Sequence, residues 1–213
     1  MEITSRIDGS KISINIEPDK TYGILISGGL DSAMMLHLML LDAQQKNFTP
    51  KIVPYCINKN DGSTNFVKPI LDYFSKRFNT TFPEPKYYGD PNTPHAIMSR
   101  LAITEMKKSG ENFDYLYIGI NQNPPDIDCD SIWGPGNYPN RTKSSEVDWI
   151  VLPFVHLYKH HVLDLMFEHN LEEIFNISHS CTDRNVGRCN KCFQCTERMW
   201  AFRKLGRIDT GTN

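Results

Sequence analysis

Tyr22-Gly23-Ile24-Leu25-Ile26-Ser27-Gly28-Gly29-Leu30-Asp31-Ser32 runs from an apolar segment, through a pair of glycines, into a helix signal. Tyr22 to Ile26 is too short for a helix and fits a buried strand. Gly28-Gly29 interrupts it. Ser32 to Gln45 then carries apolar residues on most sides, among them Met34, Met35, Leu38 and Leu41. That distribution belongs to a helix buried nearly all round. Strand, tight glycine turn and buried helix are the opening unit of an α/β sheet.

The alternation continues on both sides of this unit. Ile3 to Glu17 alternates loosely around Asp8-Gly9 and reads as a hairpin. Lys51 to Ile57 reads as a strand, and Asn65 to Phe78 as a helix with Phe66, Ile70, Tyr73 and Phe74 on one face. Pro85 to Tyr88 is a weak strand. Pro94 to Lys108 is a helix whose expected buried stripe is Ile97, Leu101 and Ile103 or Met106. Tyr115 to Ile120 and Asp148 to Leu152 are strands, Lys159 to His169 is a helix, and Arg198 falls on a further helix. Asn121 to Glu146 is polar and rich in Pro, Gly and Asn, a long loop of the kind that often serves function. The pattern predicts an α/β fold: a parallel sheet with helices on both faces, plus a small C-terminal zinc-binding region built on four cysteines. The expected division is a hairpin over 1–20, the nucleotide domain over 21–175, the cysteine region over 176–206 and a tail over 207–213.

The chain has 213 residues, which suits one compact domain. Lys plus Arg number 23 and Asp plus Glu 25, a formal charge of −2. That balance gives no sign of a duplex-binding surface, so no direct nucleic-acid partner is expected. The longest strongly apolar stretch, Ala33 to Leu41, contains His37 and is about half of a membrane span, so no membrane association is expected. No charged-then-apolar leader is visible at Met1-Glu-Ile-Thr, and the expected location is the cytoplasm.

Glycines in a strand-to-helix turn let backbone amides approach a ligand closely. The helix that follows adds free N–H groups and a positive dipole end. With the hydroxyls of Ser27 and Ser32, the turn can cradle phosphate oxygens. It lacks the lysine of a Walker-type loop. Against this stands the plain alternative that Asp31 or Ser32 only caps the helix. Lys159 opens a helix, where a cation is unfavourable unless an anion is near, so it contacts a phosphate or else is a solvated surface lysine. Arg198 either serves the site or pairs with Glu197 or Asp183. His160-His161 is expected to face solvent, and Cys56 to be buried in a strand.

Cys181, Cys189, Cys192 and Cys195 form C-x7-C-x2-C-x2-C. Four thiolates suit a tetrahedral zinc ion in a closed structural site. An iron–sulfur cluster also uses four thiolates, and buried or redox cysteines are a third reading. Six cysteines overall would permit disulfides, but this crowding suits a metal better.

Ser27-Gly-Gly-Leu-Asp-Ser32 resembles the signature of the PP-loop ATP pyrophosphatases. Ser180-Cys181 and Cys189-Asn-Lys-Cys192-Phe-Gln-Cys195-Thr-Glu-Arg198, taken with it, resemble the 7-cyano-7-deazaguanine synthase family from about Tyr22 to Gly206. The resemblance implies an adenine nucleotide α-hydrolase-like, Rossmann-like sheet. It implies an ATP-dependent C–N ligase that adenylates 7-carboxy-7-deazaguanine, admits ammonia, and uses a second ATP to reach the nitrile. Ser27, Gly28, Gly29, Leu30, Asp31 and Ser32 would hold the pyrophosphate with magnesium, and Asp31 and Lys159 would be catalytic. Ile57, near Cys56, would lie by adenine, and Gly119 would also meet the nucleotide. Asn121, Asp126, Asp128 and Asp130 would meet the substrate, unless the aspartates are a solvated acidic loop. Trp133 and Tyr138 could stack on a planar base or anchor the loop. After Gly119-Ile-Asn121 the family's Ser-Gly-Tyr is replaced by Asn123-Pro124-Pro125, and Asp130 stands where Arg is expected. A homodimer is the family expectation. The competing functions are a divergent superfamily member that adenylates another carboxylate or a tRNA base, and a non-enzymatic nucleotide-binding or zinc-stabilised protein.

Overall fold

A computed structural model describes residues 1–93, 95–127, 141 and 147–211. Strands β1 (Glu2–Thr4) and β2 (Lys11–Ser13) pair antiparallel as a hairpin. Strands β3 (Thr21–Leu25), β4 (Lys51–Ile57), β5 (Lys86–Tyr88), β6 (Tyr115–Ile118) and β7 (Ile150–Val151) form one sheet in the order β5-β4-β3-β6-β7. Every pairing in it is parallel. Helices α1 (Leu30–Gln45), α2 (Val67–Phe78), α3 (His95–Lys108), α4 (Lys159–Glu168) and α5 (Phe193–Lys204) complete the fold.

Strand side chains alternate between two faces, and each face has its own core. Ile24, Ile26, Cys56 and Tyr117 pack with residues of α1, α2, α4 and α5. Leu25, Tyr55, Ile57, Leu116 and Ile118 pack with residues of α3. A parallel sheet covered on both faces needs apolar residues at successive strand positions, which is why Ile24-Leu25-Ile26 is unbroken. α1 is buried along almost its whole length because α2 and α4 pack around it above the sheet.

Three expectations change. In α3 the buried stripe is Met98, Ala102 and Met106, whereas Ile97 and Leu101 are 38% and 45% exposed. The helix is apolar on adjacent positions, so periodicity alone does not set its rotation. Asn65 and Phe66 precede α2 in a single 3-10 turn, Ser63–Phe66. His161 does not face solvent: it is buried and its Nε2 lies 3.1 Å from Asp8 Oδ2 of the hairpin.

His37 in α1 is buried among Phe74, Phe78 and His169, and neither ring nitrogen has a hydrogen-bond partner among the described residues. Burial, then His169 and Arg77 nearby, holds its pKa down to about 3. The fold therefore accepts only the neutral ring, and the unfolded chain takes up the proton first as pH falls. Stability from this site is complete above the unfolded value of 6.5 and is lost as pH drops toward about 3. Between about pH 6.5 and 4.5 the loss is roughly 2–3 kcal/mol. Urea unfolding across that range is expected to show His37→Phe with a shallower decline, by close to one proton. Equal slopes in the two proteins would refute this account.

Candidate active site

The numbering of the sheet reverses between β3 and β6, and a crevice opens beyond their carboxyl ends. Ser27-Gly28-Gly29 leads from β3 into α1. Gly28 has φ +76°, and a Cβ there would stand 2.1 Å from the Ser63 carbonyl oxygen. Only glycine lets the turn pass so close to the Ser63 segment. Among the described residues no side chain caps α1, contrary to the plain reading of Asp31 and Ser32. The first-turn N–H groups have no acceptor within the helix and face whatever lies beyond it. Ser32 Oγ instead braces the turn, accepting from Ser27 N at 3.2 Å and donating to the Gly29 carbonyl at 3.1 Å.

Asp31 is turned toward α4, where Lys159 Nζ donates to its Oδ2. Its Oδ1 lies 3.4 Å from Asn121 Nδ2. Lys159 Nζ also lies 3.6 Å from Glu197 Oε2 on α5. The lysine is neither solvated nor lone: it is 6% exposed and its charge is met by two carboxylates. Burial alone would favour the neutral amine, but Asp31 and Glu197 outweigh it and raise the Lys159 pKa. Burial and then, against the pull of Lys159, the nearby Asp31 raise that of Glu197. Asn121 arrives because Gln122 bridges to Tyr158, the residue before α4, and its N–H donates to the Leu157 carbonyl at 2.6 Å. Gly119, at the end of β6, would place a Cβ 2.7 Å from the Asp31 carbonyl oxygen, so its bare backbone permits the close approach of β6 to α1.

These groups surround a cavity of about 320 Å³. One wall is apolar, with Leu25, Ile57, Ile103 and Ile118. The other is polar, with Ser27, Asp31, Asn121, Arg141, Lys159 and Glu197. A smaller pocket of about 110 Å³ adjoins it, lined by Gly29, Leu30, Lys59, Ser63, His179 and Thr182 among others. An apolar slot of this kind fits a planar base, and the smaller pocket fits phosphate groups.

Of the expected site residues, Ser27, Gly29, Leu30, Asp31, Ser32, Ile57, Gly119, Asn121 and Lys159 line these two spaces. Asp126 does not. It is exposed and accepts from Trp200 Nε1 at 2.8 Å and Lys204 Nζ at 3.2 Å, fastening the loop to α5. Asp128, Asp130, Trp133 and Tyr138 lie outside the described residues. Arg198 is fully buried and pairs with neither Glu197 nor Asp183. It grips Asp209 through Nε at 2.7 Å and Nη2 at 3.0 Å, which folds the tail back onto α5. Sequence reasoning missed Glu197, Arg141 and Lys59. Glu197 has a helical signal, one turn before buried Ala201 on the same face.

The Sγ atoms of Cys181, Cys189, Cys192 and Cys195 all lie within 4.8 Å of one another. A single tetrahedral ion with sulfur at about 2.3 Å sets thiolates about 3.8 Å apart. Cys189 Sγ and Cys195 Sγ are 4.0 Å apart, and Cys189 Sγ also accepts from Cys192 N at 3.2 Å. The cluster thus fits one metal ion. Cys181 also lines the smaller pocket, so this centre forms part of its wall.

No family model matches the sequence, and no curated protein matches it. Among solved structures, the chain is similar to the U34-tRNA thiolase NcsA from Methanococcus maripaludis with its 4Fe–4S cluster, at TM-score 0.46 and 15% identity over 73% of this chain. It is also similar to the Candida glabrata FMN adenylyltransferase in complex with FMN and the ATP analogue AMPCPP, at TM-score 0.44 and 14% identity over 89% of this chain. This chain spans 58% of the first and 66% of the second.

Proposed function

We propose that the protein is an ATP-dependent enzyme of the PP-loop type that adenylates a carboxylate and joins ammonia to it. The substrate we assign is 7-carboxy-7-deazaguanine and the product its nitrile. One observation carries the reading: the uncapped start of α1 and Lys159 line the same space as an apolar slot at the switch point of the sheet. Base and triphosphate can thus be held in the cavity and the smaller pocket that shares its Ser27, Asp31 and Lys159 lining. The substrate assignment rests on the sequence resemblance at the glycine turn and the cysteine segment.

The substrate carboxylate oxygen attacks the α-phosphorus of ATP. A new O–P bond forms, the bond to the β-phosphate bridge breaks, and pyrophosphate leaves. In this reading Lys159, Lys59 and the α1 amides take the charge that grows on the departing group. Magnesium carried with the nucleotide would neutralise part of that charge, and Asp31 would be the carboxylate that holds it, exchanging a present partner for the ion. Ammonia then attacks the acyl carbon and AMP leaves, giving an amide. A second adenylation, on the amide oxygen, followed by loss of AMP and the remaining N–H protons, gives the nitrile. A protein nucleophile is not required. The chain's part is to position reactants and stabilise charge.

Incubation with 7-carboxy-7-deazaguanine, ATP, magnesium and ammonium is expected to yield the nitrile with AMP and pyrophosphate, read by mass spectrometry. AMP and pyrophosphate released with another acid alone would overturn the substrate, and no release with any acid would overturn the enzyme class. Zinc is the metal we assign to the four cysteines, because their sulfur atoms all lie within 4.8 Å of one another, close enough to share a single ion.

A further inference from the structure

We infer that Arg141 is the residue that selects an acid as substrate: its guanidinium receives the substrate carboxylate in the large cavity and holds it more tightly than the neutral amide made from it. The inference rests on the reading of the site as an acid-adenylating centre. Arg141 lines the cavity together with Lys59, Lys159, Asp31 and Glu197. Counted formally, three cations stand against two carboxylates among the described lining residues, a balance that suits anions. The three cations are not equivalent. Lys159 is already met by Asp31 and Glu197. Lys59 and Lys159 also line the smaller pocket that fits phosphate groups, and Arg141 does not. Arg141 Nη1 donates to a neutral acceptor, the Asn121 carbonyl, at 3.0 Å. Among the described residues its Nε and Nη2 meet no acceptor and no carboxylate pairs with it. A guanidinium in the cavity that neither an acid of the chain nor the phosphate pocket claims is left for the second anion the reaction needs.

The backbone at this position is fixed by Gln122, the residue after Asn121. Gln122 Oε1 accepts from Arg141 N–H at 2.9 Å, and its Nε2 donates to the Arg141 carbonyl. The same Nε2 donates to the Val155 carbonyl at 2.6 Å, and Gln122 N–H donates to the Leu157 carbonyl. Gln122 is thus a positioning residue that ties Arg141 to the segment before α4, which also carries Lys159 toward Asp31. A site held this way spends less entropy when it closes on a ligand. Arginine presents its N–H donors in a planar fork that matches the two oxygens of a carboxylate. Such charge-assisted bonds are roughly twice as strong as neutral ones. An amide offers one accepting oxygen and no charge. A half-buried cation without an acid beside it is also partly desolvated, a cost that an entering anion offsets.

The test measures binding of 7-carboxy-7-deazaguanine and of its amide to the whole chain by calorimetry, with magnesium and a non-hydrolysable ATP analogue present. The unaltered protein is expected to prefer the acid. Arg141→Gln is expected to weaken acid binding by about 30-fold or more relative to the change in its own affinity for the amide. Arg141→Lys keeps the charge without the fork and is expected to recover only part of that ratio. Equal losses for acid and amide, or a loss confined to the ATP analogue, would make Arg141 a loop anchor or a nucleotide contact and overturn the inference. Binding of neither compound by the unaltered protein would overturn it together with the proposed substrate. Acid-dependent exchange of pyrophosphate into ATP reads the adenylation step separately. Its absence in a protein that still selects the acid through Arg141 would sink the proposed function and leave the role of Arg141 standing.

Discussion

Lys159→Met is expected to abolish turnover, by about 1000-fold or more, and to lower stability together with nucleotide affinity. The side chain is 8% exposed and meets Asp31 and Glu197 from two different helices. Removing its charge leaves two carboxylates facing each other in a buried space. Breaking a buried pair from one side typically costs about 3–5 kcal/mol, because the remaining charge is left without compensation. Loss of one preorganised donor to a developing anion costs a further factor of about 100–1000 in rate. The two effects separate by a second substitution. Asp31→Asn in the Lys159→Met background removes one orphaned charge and is expected to return part of the stability but none of the activity. Urea midpoints report the first, and calorimetry with a non-hydrolysable ATP analogue and magnesium reports binding. Turnover of Lys159→Met within tenfold of the parent would end its assignment as a phosphate-stabilising residue.

The sheet was legible because its signals are local. A five-residue apolar strand followed by Gly28-Gly29 and a helix buried all round leaves few alternatives, and β3 and α1 fall where those residues place them. The rotation of α3 was not legible. Ile97, Met98, Leu101 and Ala102 offer two adjacent stripes, and the choice belongs to β4 and β5, which α3 contacts. The partner of Arg198 was not legible either, because Asp209 reaches it only when the tail folds back over Phe175. The site shows the same division. The glycine turn is one continuous segment and could be read. Lys159 and Glu197 join Asp31 only through the packing of α4 on α1 and on α5. A carboxylate on a buried helical face was the available hint for Glu197, and Arg198 beside it supplied a nearer, wrong explanation.

The four cysteines should carry one equivalent of zinc per chain, and their loss should disable the nucleotide site as well as the C-terminal region. Cys181 and Thr182 line the smaller pocket with Ser27 and Lys59. The loop between Cys181 and Cys189 presses on the turn that holds the glycine loop: a Cβ on Gly62 would stand 2.6 Å from Asn185 Cα. Gly62 in turn precedes the Ser63 carbonyl against which Gly28 packs. Cysteine cluster, the loop it closes, Ser63 segment and glycine turn are therefore one chain of contacts. Structural zinc supplies folding energy directly, and losing even about 4 kcal/mol of it lowers the Tm of a domain this size by roughly 8–16 °C. Cys192→Ser is expected to show that shift, together with at least a tenfold weaker affinity for ATP and magnesium at a temperature where the sheet remains folded. Elemental analysis finding iron and acid-labile sulfide in place of zinc would overturn the metal. An apoprotein that binds nucleotide as tightly as the holoprotein would show that the cysteine loop and the phosphate pocket are uncoupled.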